Sequence, residues 1–114
     1  MSEFVDYLHE VFAEFGPIET RRMFGGHGVY HNQLMFGLVA DDVLYLKADN
    51  TISRKFAELG LEQFEYVKNA KTMKMSYFMA PEEIYEDTEQ ARNWAELSYG
   101  AAKRAAQKSR KPKK

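Results

Sequence analysis

The sequence has no cysteine, three prolines, one tryptophan and no long apolar run. Without cysteine there are no disulfides, no Cys-ligated zinc, no iron–sulfur cluster and no thiol nucleophile. That accords with a reducing compartment, and the cytoplasm is the expected location. The longest apolar stretches, Leu34–Ala40 and Val43–Leu46, fall far short of the roughly 20 residues that span a bilayer, so no membrane partner is expected. Met1-Ser2-Glu3 opens the chain with no basic segment leading into an apolar one, so no signal peptide is expected. G-x-S-x-G, P-loop, G-x-G-x-x-G and zincin patterns are all missing. The expectation is a protein that is not an enzyme and carries no cofactor.

What is there suits one small domain. A chain of 114 residues, 45% hydrophobic and 14% aromatic, buries a single core without covalent staples. Its net charge of −1 hides an asymmetry. Lys103, Arg104, Lys108, Arg110, Lys111, Lys113 and Lys114 carry seven positive charges with no carboxylate among them. The first 102 residues hold the other nine basic and all seventeen acidic side chains, a net of −8. The expected division is a domain over residues 1–107 and a basic disordered tail over 108–114. The seven basic residues are candidates for weak nucleic-acid contact, against the plainer reading of a solvated end.

Along the chain, Ser2 is positioned to cap a first helix whose apolar face is Phe4, Leu8, Val11, Phe12 and Phe15, and Gly16-Pro17 stops it. From Ile18 to Lys47 the character is β. Val29-Tyr30 belong to a short strand, Asn32-Gln33 make a turn, Leu34–Val39 form a central strand, and Asp41-Asp42 turn the chain back into Val43–Lys47. Asn50 or Thr51 caps a second helix that buries Ile52, Phe56 and Leu59 and ends at Gly60. Phe64-Glu65-Tyr66 reads as an edge strand, and Lys71–Met79 alternates, with Met73, Met75, Tyr77 and Met79 on one face. That face is expected to be core, since one side of such a strand must bury something; a partner-binding surface is the alternative. A third helix runs from about Thr88 past Trp94, Leu97, Ala101 and Ala105. The order α-β-β-β-α-β-β-α predicts a two-layer α+β domain, an antiparallel sheet with helices packed on it.

Chemistry-bearing residues are few. His27 and His31 on a strand stand about 13 Å apart at roughly 3.3 Å per residue, too far to share a metal ion, so no metal is expected. Gly25-Gly26-His27-Gly28 follows Arg21-Arg22. Its composition suggests a phosphate cradle, but a strand follows where a helix N-terminus is needed, and a tight turn is the simpler reading. Arg21, Arg22, Gly25, Gly26 and Lys47 are kept as candidate partner or anion contacts.

The run Arg22-Met23-Phe24-Gly25-Gly26 with Gly28, Tyr30, Phe36 and Leu44-Tyr45-Leu46-Lys47 resembles the N-terminal domain of TfoX/Sxy proteins. Phe64-Glu65-Tyr66, Met75-Ser76-Tyr77, Pro81 and Trp94 continue the resemblance to about Ala106. It implies a bacterial regulator of natural competence, a non-enzymatic transcriptional co-regulator working through a protein partner such as the cyclic-AMP receptor protein. Full-length members add a C-terminal domain where this chain has its basic tail, so a stand-alone domain is expected. The competing function is nucleic-acid binding through that tail. Oligomeric state is left open, a homodimer included.

Overall fold

The structure, a computed structural model, describes residues 3–23 and 25–109. It contains α1 (Glu3–Val11), β1 (Glu19–Met23), β2 (Gly26–His31), β3 (Leu34–Ala40), β4 (Val43–Lys47), α2 (Ser53–Glu58), β5 (Gln63–Lys68), β6 (Lys71–Met79), a 3-10 turn at Glu82–Tyr85 and α3 (Thr88–Ser109). All six strands join one antiparallel sheet in the order β1-β2-β3-β4-β6-β5. The fold is α+β, as patterning suggested. The β stretch beginning near Ile18 divides into four strands, because Glu19–Met23 pairs with β2 along its whole length. Glu-Thr-Arg-Arg-Met has no apolar alternation to mark it. It holds its place as an edge strand through backbone hydrogen bonds.

Turn chemistry explains the hairpins. Asn32-Gln33, Asp41-Asp42 and Asn69-Ala70 all have positive φ at both residues, the geometry of two-residue turns whose twist matches that of the flanking strands. The one long connection, through α2, carries the chain past β6, so that β6 and not β5 lies beside β4.

The first helix ends at Val11, and Phe12 to Phe15 sit in a following turn that Gly16 closes by donating its N–H to the Phe12 carbonyl. The expected cap Ser2 lies outside the described residues. Asp49, not Asn50 or Thr51, organises the start of α2: its carboxylate accepts from the Thr51 N–H at 3.1 Å and its carbonyl from Ser53 at 2.8 Å. Leu59, expected in the core, is 55% exposed, since α2 stops at Glu58 and its successor leaves the buried face.

The core lies between the helices and one face of the sheet. Phe12, Phe36, Phe56, Leu8, Leu44, Leu46, Val29 and Ile84 are fully buried there. A bulge in the β2–β3 ladder sets this face: Val29 pairs with Gly37 and Tyr30 with Met35, leaving Phe36 as the extra residue. Phe36 therefore turns inward beside Phe12 and Phe15, with ring centroids 5.5 and 5.2 Å away. Ala91, Ala95, Ser98, Ala101 and Ala102 are buried along α3, small side chains that let the helix lie close to the sheet. Trp94 closes the opposite end, its ring tilted against Phe56 at 4.9 Å between centroids and its indole N–H donating to Glu83 at 2.6 Å.

Phe12→Ala and Trp94→Ala are each expected to lower stability by about 3–5 kcal/mol through lost burial and a residual cavity. Leu59→Ala, on the solvent side, should stay within about 0.5 kcal/mol. Denaturant midpoints check both; equal effects at the three positions would contradict this packing.

Candidate binding face

With α1, α2 and α3 packed against Val29, Phe36, Val39, Leu44 and Leu46, the second face of the sheet has no helix over it among the described residues. Pleat alternation and register place Arg21 and Met23 of β1, Gly28 and Tyr30 of β2, Met35 and Leu38 of β3, and Tyr45 and Lys47 of β4 on that face. Tyr77 and Met79 of β6 pair with Lys47 and Tyr45 and join them, while Tyr66 of β5 pairs with Met73 farther along. Leu38 and Tyr77 are only 8% and 6% exposed, yet belong to no part of the helix-side core. Their own neighbours on the open face bury them. Met23, Met35, Met73, Met75 and Met79 all fall on this side, which is every methionine but Met1.

The expectation that the Met73–Met79 set is core is thereby corrected. Only Tyr77 of that set is buried, and Met73 is 42% exposed. The reason is topological: β5 and β6 extend past the helices as a two-stranded hairpin, so neither of its faces is covered near the turn. β6 first becomes buried at Tyr77, where it pairs with β4.

Two cations sit on rings of this face, one from the edge strand β1 and one from β4. The Arg21 guanidinium lies 4.3 Å from the Tyr30 ring centroid and the Lys47 ammonium 4.9 Å from that of Tyr77, each held by the negative ring face. Burial pushes the Lys47 ammonium below the usual lysine range, and Asp49 pulls it partly back. Burial, with a smaller contribution from Tyr30, raises the Tyr77 phenol to about 12. Tyr45 is raised by burial and then by Glu62 and Asp41, carboxylates at one rim of the face. Phe64 continues the aromatic band, 4.9 Å from Tyr45 and 6.5 Å from Tyr66.

The residues singled out from sequence do not form one site. Arg21 and Lys47 are on the open face. Arg22, Gly25 and Gly26 instead line a shallow cleft on the helix side, with Asp6, His27 and Asp41. Carboxylates among those lining residues make it a poor anion cradle. Gly25 has φ +77, as a tight turn requires. Gly26 is needed for closeness: a Cβ there would stand 2.1 Å from the Val39 carbonyl oxygen. Phe24 lies outside the described residues. His27 and His31 both lie on β2; the His31 ring is wedged between Phe15 and Tyr99 and its Nδ1 is 2.7 Å from the Pro17 carbonyl oxygen. Of the basic end, Lys103, Arg104 and Lys108 are in the last turns of α3. Arg104 is engaged by Asp49 at 2.6 and 3.0 Å, and that hydrogen bond holds the Asp49 carboxyl below the usual range. Arg110, Lys111, Lys113 and Lys114 lie outside the described residues.

Sequence reasoning overlooked Tyr30, Met35, Leu38, Tyr45 and Phe64 as a connected surface. The available signal was parity: in Leu44-Tyr45-Leu46-Lys47 the leucines form one set and Tyr45 and Lys47 the other. The motif residues also carry the family relationship. Residues 10–102 match the TfoX N-terminal domain. The chain belongs to the TfoX N-terminal domain family. It is 36% identical over 78 residues to the DNA transformation protein TfoX1 of Aliivibrio fischeri (strain ATCC 700601 / ES114). The matched stretch is 65% of this chain and 37% of that relative's length. In this TfoX-type domain Met23 ends β1, Gly25 turns the chain and Gly26 begins β2, and Leu-Tyr-Leu-Lys supplies both faces of β4. No helix of the described residues is long and apolar enough to cross a membrane.

Two outcomes test this geometry. Gly26→Ala should lower stability by about 1–3 kcal/mol, because the new methyl meets backbone and forces β2 from β3; an unchanged thermal melt would contradict the close approach. Tyr77 and Tyr85, both raised by burial to about 12, should ionise well above the ordinary phenol range. Because their folded pKa values exceed the unfolded value of about 10, their contribution to stability is intact below pH 10. It is lost as pH rises toward 12. Phenolate absorbance and circular dichroism over that range check both the lag and the accompanying unfolding.

Proposed function

We propose that this chain is a non-enzymatic regulator that works in the cytoplasm by docking a protein partner in transcription control, within the biology of DNA uptake. The observation that carries the reading is the uncovered sheet face. Five methionines, Tyr45, Phe64 and Tyr66 line it, and methionine supplies flexible, polarisable contacts suited to partner surfaces. An apolar band of this kind, rimmed by charge, is a feature of interaction sites in soluble proteins. Membership of the TfoX N-terminal domain family and the likeness to a protein named for DNA transformation support the biological setting.

The cyclic-AMP receptor protein is the first partner to test. Calorimetric titration of the purified 114-residue chain should give saturable binding. Tyr45→Glu should weaken it about tenfold or more, a change of about 1.4 kcal/mol, while leaving the thermal melt near that of the parent. Absence of binding, or equal binding by the variant, would overturn the assignment of this partner to this face.

A further inference from the structure

We infer that the open sheet face is built to receive an acidic amphipathic segment of a partner protein, its apolar side chains on the methionine band and a carboxylate at the centre between Arg21 and Lys47. This rests on reading the face as a docking surface and goes further by naming the chemistry of what docks. The strand positions of this face carry Arg21, Lys47, Lys68 and Lys71 and a single carboxylate, Glu19, which pairs with Arg21 at 3.3 Å on the outermost strand. That bias runs against the first 102 residues, whose net charge is −8. Arg21 lies over the Tyr30 ring and Lys47 over the Tyr77 ring, and Tyr30 stands close enough to Tyr77 to help raise that phenol, so the two cations and the two hydroxyls offer hydrogen-bond donors on the same face. A carboxylate is the group that satisfies such a patch.

The surroundings decide between a peptide and a nucleic acid strand. Base stacking needs free ring faces. Here Arg21 occupies one face of Tyr30, Lys47 one face of Tyr77, and Tyr45 meets Phe64 edge-on with planes 60° apart. Asp41 and Glu62 beside Tyr45 repel a continuous phosphate backbone but not a segment whose charge is confined to one flank. Methionine thioethers accommodate leucine and phenylalanine side chains of a helix, the packing used where amphipathic helices dock in apolar grooves.

The methionines report on their own surface. Methyl-13C-methionine-labelled protein is titrated with a synthetic amphipathic peptide of about four helical turns, leucine and phenylalanine on one side and glutamate flanking them. A twin carrying lysine for glutamate, an oligothymidylate and a protein dilution series complete the set. Saturable shifts of the Met23, Met35, Met73, Met75 and Met79 methyls with the acidic peptide, absent with its twin, are expected. Lys47→Gln and, at the exposed edge, Arg21→Gln should each weaken the response about tenfold with the resonances of a folded protein retained. An equal response to the lysine twin, a stronger one to the oligothymidylate, or concentration-dependent shifts without peptide, which place a second copy on the face, would each overturn the inference. If the acidic peptide leaves the methyls unmoved while the cyclic-AMP receptor protein shifts them, this inference falls and the docking face stands. If neither shifts them, both fall.

Discussion

Phe78, Phe56 and Trp94 form a column of rings, 5.5 Å and then 4.9 Å between centroids, that fastens β6, α2 and α3 together. A second cluster, Phe12, Phe36, Phe15, His31 and Tyr99, does the same for the turn after α1, the centre of the sheet and the middle of α3. Both clusters lie on one side of the sheet. Every helix of the described residues is committed there, and three helices do not suffice to cover two faces of six strands. The open face follows from that commitment.

Exposure of one sheet face has a cost that the sequence manages locally. Its large apolar residues are mostly methionine and tyrosine, and the most buried of the face, Leu38 and Tyr77, are shielded by neighbours in the same layer. Arg21 and Lys47 place their charged groups over the Tyr30 and Tyr77 rings, shielding ring area while keeping the surface wettable. These contacts also hold the two cations in place over the rings. The rest of the positive charge is arranged differently: Arg104 ties α3 to the β4–α2 connection through Asp49, a fold contact at a position that composition alone groups with the basic end.

The Met-Phe-Gly-Gly segment illustrates how a family signature can be structural. Its glycines permit a turn at φ +77 and an approach of β2 to the Val39 carbonyl that no side chain allows. Gly28, farther along, leaves room for Tyr30, Met35 and Met23, all within 3.3 Å of where its Cβ would stand. Glycine here makes the floor of the open face flat enough for methionine and tyrosine to lie across it.

Local chemistry made much of the fold legible. The Asn32-Gln33 and Asp41-Asp42 turns, the Lys71–Met79 strand and the long helix beginning near Thr88 depend on φ preferences and periodicity within a few residues, and those are written in the chain. Strand β1 was not, because an edge strand of Glu, Thr and Arg is held by backbone pairing and leaves no apolar rhythm. Alternation in β4 and β6 divided each strand into two sets, but nothing local says which set the helices cover. That depends on the side from which α2 and α3 approach and on the bulge that turns Phe36 inward, both products of contacts between residues distant in sequence. The methionine set of β6 was therefore readable as a set, and only the tertiary structure decided that it faces outward.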